Sequence, residues 1–155
     1  MALLIKKFGG TSVGDINKIQ AIAQNIRQSK EAGNDIVVVV SAMGHSTDEL
    51  NKLAYSISQN PNSRELDMLL STGEQVTMAL LSMSLNEYGI PAISMTGSQV
   101  GIITESIHGK ARILDIKTER IENYIDQGYI VVVAGFQGST LSHTGSIEIT
   151  TLGRG

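Results

Sequence analysis

The stretch KKFGGTSVGD, residues 6–15, directly follows a short apolar run at residues 2–5 and indicates an α/β unit at the start of the chain. A strand that runs into Gly9-Gly10-Thr11-Ser12 can present several backbone N–H groups together at a helix start, where phosphate binds favourably. Lys7 would place a mobile cation beside a β- or γ-phosphate. The spacing matches neither GxxxxGK(S/T) nor GxGxxG. The residues alone leave two interpretations open, a phosphate-binding loop and a plain strand-to-helix turn.

The composition is that of a soluble globular protein. Of the 155 residues, 41% are hydrophobic and 17% are charged, and the net charge is −3. This balance gives no electrostatic reason to expect a nucleic acid or an anionic membrane as a partner. The absence of cysteine excludes disulfides, thiolate metal ligands and a cysteine nucleophile, and it suits a cytoplasmic protein. No apolar run approaches the ~18 residues of a membrane span.

Helix and strand patterns alternate along the chain. Isoleucines at positions 16, 19, 22 and 26 form the stripe of an amphipathic helix, and the β-branched run at 36–40 predicts a parallel strand buried on both faces. Further helices are predicted at 47–58, at 63–87 with an interruption near 71–73, and at 119–127 with Thr118 as the capping residue. Further strands are predicted at 92–95, at 129–134 and, as an edge or hairpin strand, at 145–150. This order predicts an α/β sandwich with a mainly parallel sheet.

Small polar residues follow three of the predicted strands. They are Lys7, Gly9, Gly10 and Ser12 after the first strand, 41–44 and Thr47 after the second, and 135–138 after the strand at 129–134. Because ligands of open α/β sheets bind beyond the carboxyl ends of the strands, these loops predict a polar cavity with exposed backbone donors.

Two charged residues each allow two interpretations. Glu74 is either a carboxylate at a helix start, stabilised by the helix dipole, or a buried acceptor for a substrate ammonium group. Arg154 is either a solvated tail residue or a bidentate donor to a carboxylate. The three histidines lack the spacing of metal ligands, so we expect surface or loop positions for them.

Seven segments taken together resemble the aspartate kinases of the amino-acid kinase family, in order along the whole chain. They are KFGGTSV (7–13), VVVVSAMGHSTDEL (37–50), LLSTGEQVTMALL (69–81), TGSQVGI (96–102), ARILDI (111–116), VVVAGFQG (131–138) and TTLGRG (150–155). The resemblance implies an eight-stranded, three-layer α/β/α sandwich. It also implies transfer of the γ-phosphoryl group of ATP to the side-chain carboxylate of L-aspartate, the first step towards lysine, threonine and methionine.

The resemblance also implies roles for particular residues. Lys7 would be the catalytic residue. The ATP- and phosphate-binding set would be Lys7, Phe8, Gly9, Gly10, Ser41 and Gly44. The substrate-binding set would be Thr47, Glu74 for the α-ammonium group, and Arg154 for a carboxylate. Magnesium would be carried on the ATP phosphates, with no metal site formed by the protein.

The family pattern continues beyond GRG into a nucleotide-binding half and regulatory domains. We therefore expect residues 1–155 to be the N-terminal portion of a catalytic domain that is truncated at its C-terminal end and inactive in isolation. The full-length parent is expected to be a homo-oligomer. Two alternatives stay open, namely an amino-acid kinase for glutamate, carbamate or a nucleoside monophosphate, and a non-catalytic binding or assembly module that kept the fold.

Overall fold

The computed structural model describes residues 2–153, which form helices and strands in alternation. The strands are β1 (Leu3–Phe8), β2 (Asp35–Val40), β3 (Ala92–Met95), β4 (Ile102–Thr104), β5 (Ile113–Ile116), β6 (Ile130–Ala134), β7 (Gln137–Leu141) and β8 (Ile147–Thr151). The helices are α1 (Ile16–Glu31), α2 (Ser46–Ile57), α3 (Ser63–Glu87), α4 (Gly97–Val100) and α5 (Glu119–Asp126), with a 3₁₀ turn at Gly10–Val13.

The central sheet is parallel throughout and has the order β1-β2-β6-β3. Its two inner strands, β2 and β6, carry the uninterrupted β-branched runs, and Val37 pairs with Val131 in their register. Every residue of β6 is buried, and so are most of those of β2. β-branched side chains pack well on both faces of such a strand, so the predicted buried parallel strand is confirmed.

Helices cover both faces of this sheet. One face packs against α1 and α3 through a core that includes Ile19, Leu81 and Val132. The opposite face packs against α5 through a second core that includes Val131 and Val133. The alternation of side chains along β2 and β6 supplies both cores. The predicted three-layer α/β sandwich with a mainly parallel sheet is confirmed.

A second sheet has the order β5-β4-β7-β8 and is mixed, with β4 parallel to β7 and the two outer pairs antiparallel. β8 lies at its edge and pairs with β7 as a hairpin, as the alternating pattern at 145–150 predicted.

The predicted interruption of the third helix near 71–73 is wrong, because α3 runs unbroken from Ser63 to Glu87. The hydroxyl of Ser71 donates to the carbonyl oxygen of Met68 over 2.9 Å, and the hydroxyl of Thr72 donates to that of Leu69 over 2.7 Å. These bonds to the preceding turn satisfy the polar side chains without breaking the helix. Gly73 serves close packing, since a Cβ there would lie 2.9 Å from Cβ of Ala42.

Two predicted helix starts differ in detail. Thr118 does precede α5, but its backbone is helical (φ −94°, ψ −9°) and its hydroxyl donates to Oε1 of Glu122 over 2.7 Å, so the predicted capping bond to the backbone is absent. The glycines after β1 lead into the 3₁₀ turn, and α1 begins later, where the Asp15 carboxylate caps it by accepting from Lys18 N–H over 2.8 Å. The Asp15 carboxylate therefore interacts with the free N–H groups and the positive end of the dipole at the N-terminus of α1.

Candidate functional site

A cavity of about 620 Å³ opens at the carboxyl ends of β1, β2 and β6. The loops that follow these strands line it together with α3, β4, β5 and the end of β8. Its lining includes Lys7, Gly10, Ser41, Ala42, Gly44, Thr47, Asp48, Glu74, Gly135, Phe136, Gln137, Leu152 and Gly153. The polar loops that the sequence placed at one edge of the sheet do share one cavity.

Lys7 projects into this cavity because successive side chains of β1 point to opposite faces of the sheet. Its neighbour Lys6 points to the other face, where its Nζ donates to Asn25 over 2.9 Å and to Ser29 over 2.7 Å on α1. Within residues 2–153, Lys7 has no ion pair and no hydrogen bond through its side chain. One of two adjacent lysines is thus held by the protein, while the other offers its ammonium group to the cavity.

Gly10 lets the loop after β1 approach the loop after β2. Its carbonyl oxygen accepts from Gly44 N–H over 2.9 Å. A Cβ at position 10 would lie 3.0 Å from the carbonyl oxygen of Gly44 and 3.1 Å from that of Ala42, so a larger residue would push the loops apart. Gly44 itself has a φ of +52°, a conformation that favours glycine. The two loops therefore form a tight backbone rim around the cavity.

Glu74 contributes a buried carboxyl group to the cavity from the middle of α3. It is only 2% exposed, and desolvation by burial raises its pKa from 4.5 to about 7. A backbone hydrogen bond and the side chain of Gln137 limit this rise. Within residues 2–153 no Lys, Arg or His forms an ion pair with it. Because α3 begins at Ser63, the interpretation of Glu74 as a helix-start carboxylate is wrong.

Gln137 orients this carboxylate and was not among the predicted site residues. Its Oε1 accepts from Gly97 N–H over 3.3 Å, which places Nε2 towards α3. There Nε2 donates to the carbonyl oxygen of Ser71 over 3.0 Å and to Oε2 of Glu74 over 3.4 Å. The preceding residue, Phe136, has a φ of +65° although it is not glycine. The sequence signal for Gln137 was its place in the loop at 135–138, which was expected to line the cavity, but no role of its own was predicted for it.

The predicted site residues fall into three groups. Lys7, Gly10, Ser41, Gly44, Thr47 and Glu74 line the cavity. Phe8 and Gly9 do not line it, and Phe8 packs instead against the core on the α1 side of the sheet. Arg154 lies outside the described residues. The roles assigned to all nine residues stay predictions.

Residues 2–153 contain neither a cluster of metal ligands nor a membrane-spanning helix. No three His, Cys, Asp or Glu side chains in this range lie close enough together to hold a metal ion. None of the helices in this part of the chain has the length and apolar character that crossing a bilayer requires.

Comparison with known proteins gives relatives along the whole chain. Residues 2–155 match the amino acid kinase family. The aspartokinase of Geobacillus stearothermophilus is 59% identical over 155 residues, which are 100% of this chain and 37% of that protein. Aspartokinase 2 of Bacillus subtilis (strain 168) is 57% identical with the same two shares. The chain thus spans about 37% of the length of the curated relatives that it matches.

Comparison with solved structures also finds aspartate kinases. The crystal structure of aspartate kinase from Synechocystis superimposes with a TM-score of 0.80 at 54% identity, over 99% of this chain and 24% of that one. Escherichia coli aspartokinase III, solved in complex with aspartate and ADP in its R-state, gives a TM-score of 0.78 at 21% identity, over 100% of this chain and 44% of that one. The second likeness concerns the fold alone.

Proposed function

Because the chain belongs to the amino acid kinase family, we propose that it forms the acceptor- and phosphate-binding part of an aspartate kinase. The reaction would transfer the γ-phosphoryl group of ATP to the side-chain carboxylate of L-aspartate and yield 4-phospho-L-aspartate. The names of the relatives support this activity, and so does the name of the aspartate kinase from Synechocystis, which is 54% identical. Residues 1–155 would form the N-terminal portion of a catalytic domain in a cytoplasmic homo-oligomer.

One observation carries the proposal. Among residues 2–153, the cavity contains the Lys7 ammonium group, which has no ion pair, and the buried Glu74 carboxyl group, which has no cationic partner. Burial of a carboxylate without a positive partner is unfavourable, and a substrate ammonium group would remove this penalty. The α-ammonium group of aspartate has the required charge and hydrogen-bond donors. Glu74 would therefore bind the amino-acid end of the acceptor.

The chemistry needs positioning and charge neutralisation more than covalent help from the protein. Lys7 would neutralise charge on the transferring phosphoryl group, and the backbone rim of Gly10 and Gly44 would hold the phosphates close to it. Magnesium bound to the phosphates would supply further neutralisation. Thr47 and Arg154 would hold the carboxylates of aspartate so that one oxygen attacks in line.

The experiment that tests this proposal measures aspartate-dependent ADP formation by the full-length protein. We expect the Lys7→Ala variant to lose about a hundredfold or more in kcat, as is typical when a group that stabilises transition-state charge is removed. Lys6→Ala is the matched control, because it removes a lysine from the same strand but from the opposite face, and it should keep kcat within about twofold. Normal turnover by Lys7→Ala would contradict the role of Lys7.

The acceptor is tested separately with a substrate panel. Aspartate, glutamate and carbamate are offered at equal concentrations to the wild-type protein with Mg-ATP. We expect aspartate to give the largest kcat/KM. A clear preference for another acceptor would keep the kinase assignment and overturn the choice of aspartate, whereas absence of ADP formation with every acceptor would favour a non-catalytic module.

A further inference from the structure

Asp67 is a buried carboxylate outside the cavity that joins three segments of the chain. Its side chain is 1% exposed. Its Oδ1 accepts from Oγ1 of Thr151 over 2.6 Å. Nδ1 of His108 lies 2.6 Å from its Oδ2, which also accepts from Gly109 N–H over 3.2 Å. The single carboxylate thus links α3 to the end of β8 and to the loop between β4 and β5.

The helix that carries Asp67 also carries Glu74. The two residues are seven positions apart, which is two helical turns and about 10 Å along the axis. Residues at this spacing lie on the same face of a helix, and both are buried here. Any group that is bound to Asp67 is therefore held at a fixed offset from Glu74.

Thr151, the partner of Asp67 on β8, directly precedes two residues that line the cavity. Thr151 is the last residue of β8, and the next two residues, Leu152 and Gly153, line the cavity. Leu152 N–H donates to the carbonyl oxygen of Phe136 over 2.9 Å, and the carbonyl oxygen of Thr151 accepts from Ala111 N–H over 3.0 Å. Hydrogen bonds to three other segments thus hold the end of β8 next to the cavity.

We propose that Asp67 is a positioning residue that sets the distance between Glu74 and the cavity-lining end of β8, and so sets the length of the acceptor that fits between them. The proposal rests on the function proposed above, in which Glu74 binds the ammonium end of the acceptor. Asp67 does not line the cavity, so it acts through Thr151 and not on the substrate. A bond to a carboxylate is well suited to this task, because hydrogen bonds to charged acceptors are shorter and stronger than neutral ones.

The bond between Thr151 and Asp67 is the part of this linkage that can be removed most cleanly. Thr151→Val keeps the shape of the side chain and removes its hydroxyl, while Thr151→Ser keeps the hydroxyl. Thr150→Val is the matched control. Thr150 is the adjacent residue of β8, it is also buried, and its hydroxyl forms an equally short 2.6 Å bond, but with Thr104 instead of Asp67.

The first measurement is the steady-state kinetics of these variants in the full-length protein. We expect Thr151→Val to raise the KM for aspartate about tenfold, to change the KM for ATP by less than about twofold, and to weaken the preference for aspartate over glutamate. Thr151→Ser should restore the KM for aspartate to within about threefold, and Thr150→Val should leave it unchanged. Equal effects of Thr151→Val and Thr150→Val on this KM would overturn the proposal.

The second measurement does not depend on the acceptor. Hydrogen exchange of the backbone amides at 151–153 in the full-length protein should be at least about fivefold faster in Thr151→Val than in Thr150→Val, because only the former releases the end of β8 from α3. Equal exchange rates would overturn the positioning role. If the wild-type protein prefers another acceptor, the choice of aspartate fails, and a selective rise in the KM for that acceptor would still support the role of Asp67.

Discussion

Replacing Glu74 with glutamine should make the folded chain more stable at alkaline pH. The folded state holds this carboxyl with a pKa of about 7 instead of 4.5, because burial disfavours the charged form. Between these two pH values the folded chain binds more protons than the unfolded chain, so the wild-type chain loses stability as pH rises through this window. The rise of the pKa from 4.5 to about 7 corresponds to about 3 kcal/mol.

Glutamine has nearly the same shape and hydrogen-bonding groups but cannot ionise. We therefore expect Glu74→Gln to increase the free energy of unfolding by about 3 kcal/mol at pH 8 and by about 1 kcal/mol at pH 5. Urea denaturation followed by circular dichroism at the two pH values measures both differences. The same variant of the full-length protein should lose most of its affinity for aspartate, because the acceptor for the ammonium group becomes neutral.

The control is Glu87→Gln at the exposed end of the same helix, which should change stability by less than about 0.5 kcal/mol at either pH. The reasoning about Glu74 is refuted if Glu74→Gln is no more stable than the wild-type chain at pH 8, or if its advantage is the same at pH 5 and pH 8. Either result would mean that the carboxyl group is hydrated or paired in the folded chain.

The raised pKa of Glu74 and two close glycine contacts lead to three further expected outcomes. The Kd for aspartate of the full-length protein, measured by calorimetry, should fall about tenfold from pH 6 to pH 8, because ionised Glu74 attracts the ammonium group. A constant Kd would contradict this. Gly97→Ala should lower the free energy of unfolding by about 3 kcal/mol, because its Cβ would lie 2.3 Å from the carbonyl oxygen of Gln137. An unchanged midpoint of urea denaturation would contradict this. Gly73→Ala should lower the free energy of unfolding by about 2 kcal/mol, because its Cβ would lie 2.9 Å from that of Ala42. In a double-mutant cycle, Ala42→Gly should recover part of this free energy.

The fold could be predicted from the sequence because its central strands are marked by local composition. The β-branched runs at 36–40 and 130–134 are apolar on both faces, and a parallel sheet covered by helices on both faces buries such strands. Once these strands were placed, the loops that follow them had to share one edge of the sheet. The grouping of Lys7, Gly10 and Gly44 follows from that rule and needs no long-range contact.

The contacts that organise the site could not be predicted in the same way, since they join residues far apart in sequence. The bond from Gln137 to Glu74 spans 63 residues, and the bond from Thr151 to Asp67 spans 84. Neither pair has a spacing that marks it in the sequence. The polar residues at 71–73 misled the prediction of the third helix, because hydroxyl bonds to the preceding turn can satisfy them inside a helix as well as at its end.

The two buried carboxyl groups of α3 show how one helix can serve both stability and binding. Asp67 is surrounded by donors from three other residues, so its hydrogen-bonding capacity is used within the protein. From the other residues in the range 2–153, Glu74 receives one long side-chain bond, 3.4 Å from Gln137, and its pKa is raised by burial. A carboxylate that serves structure alone would gain from partners like those of Asp67. In the proposed function, a cationic ligand would supply the partner that Glu74 lacks within residues 2–153.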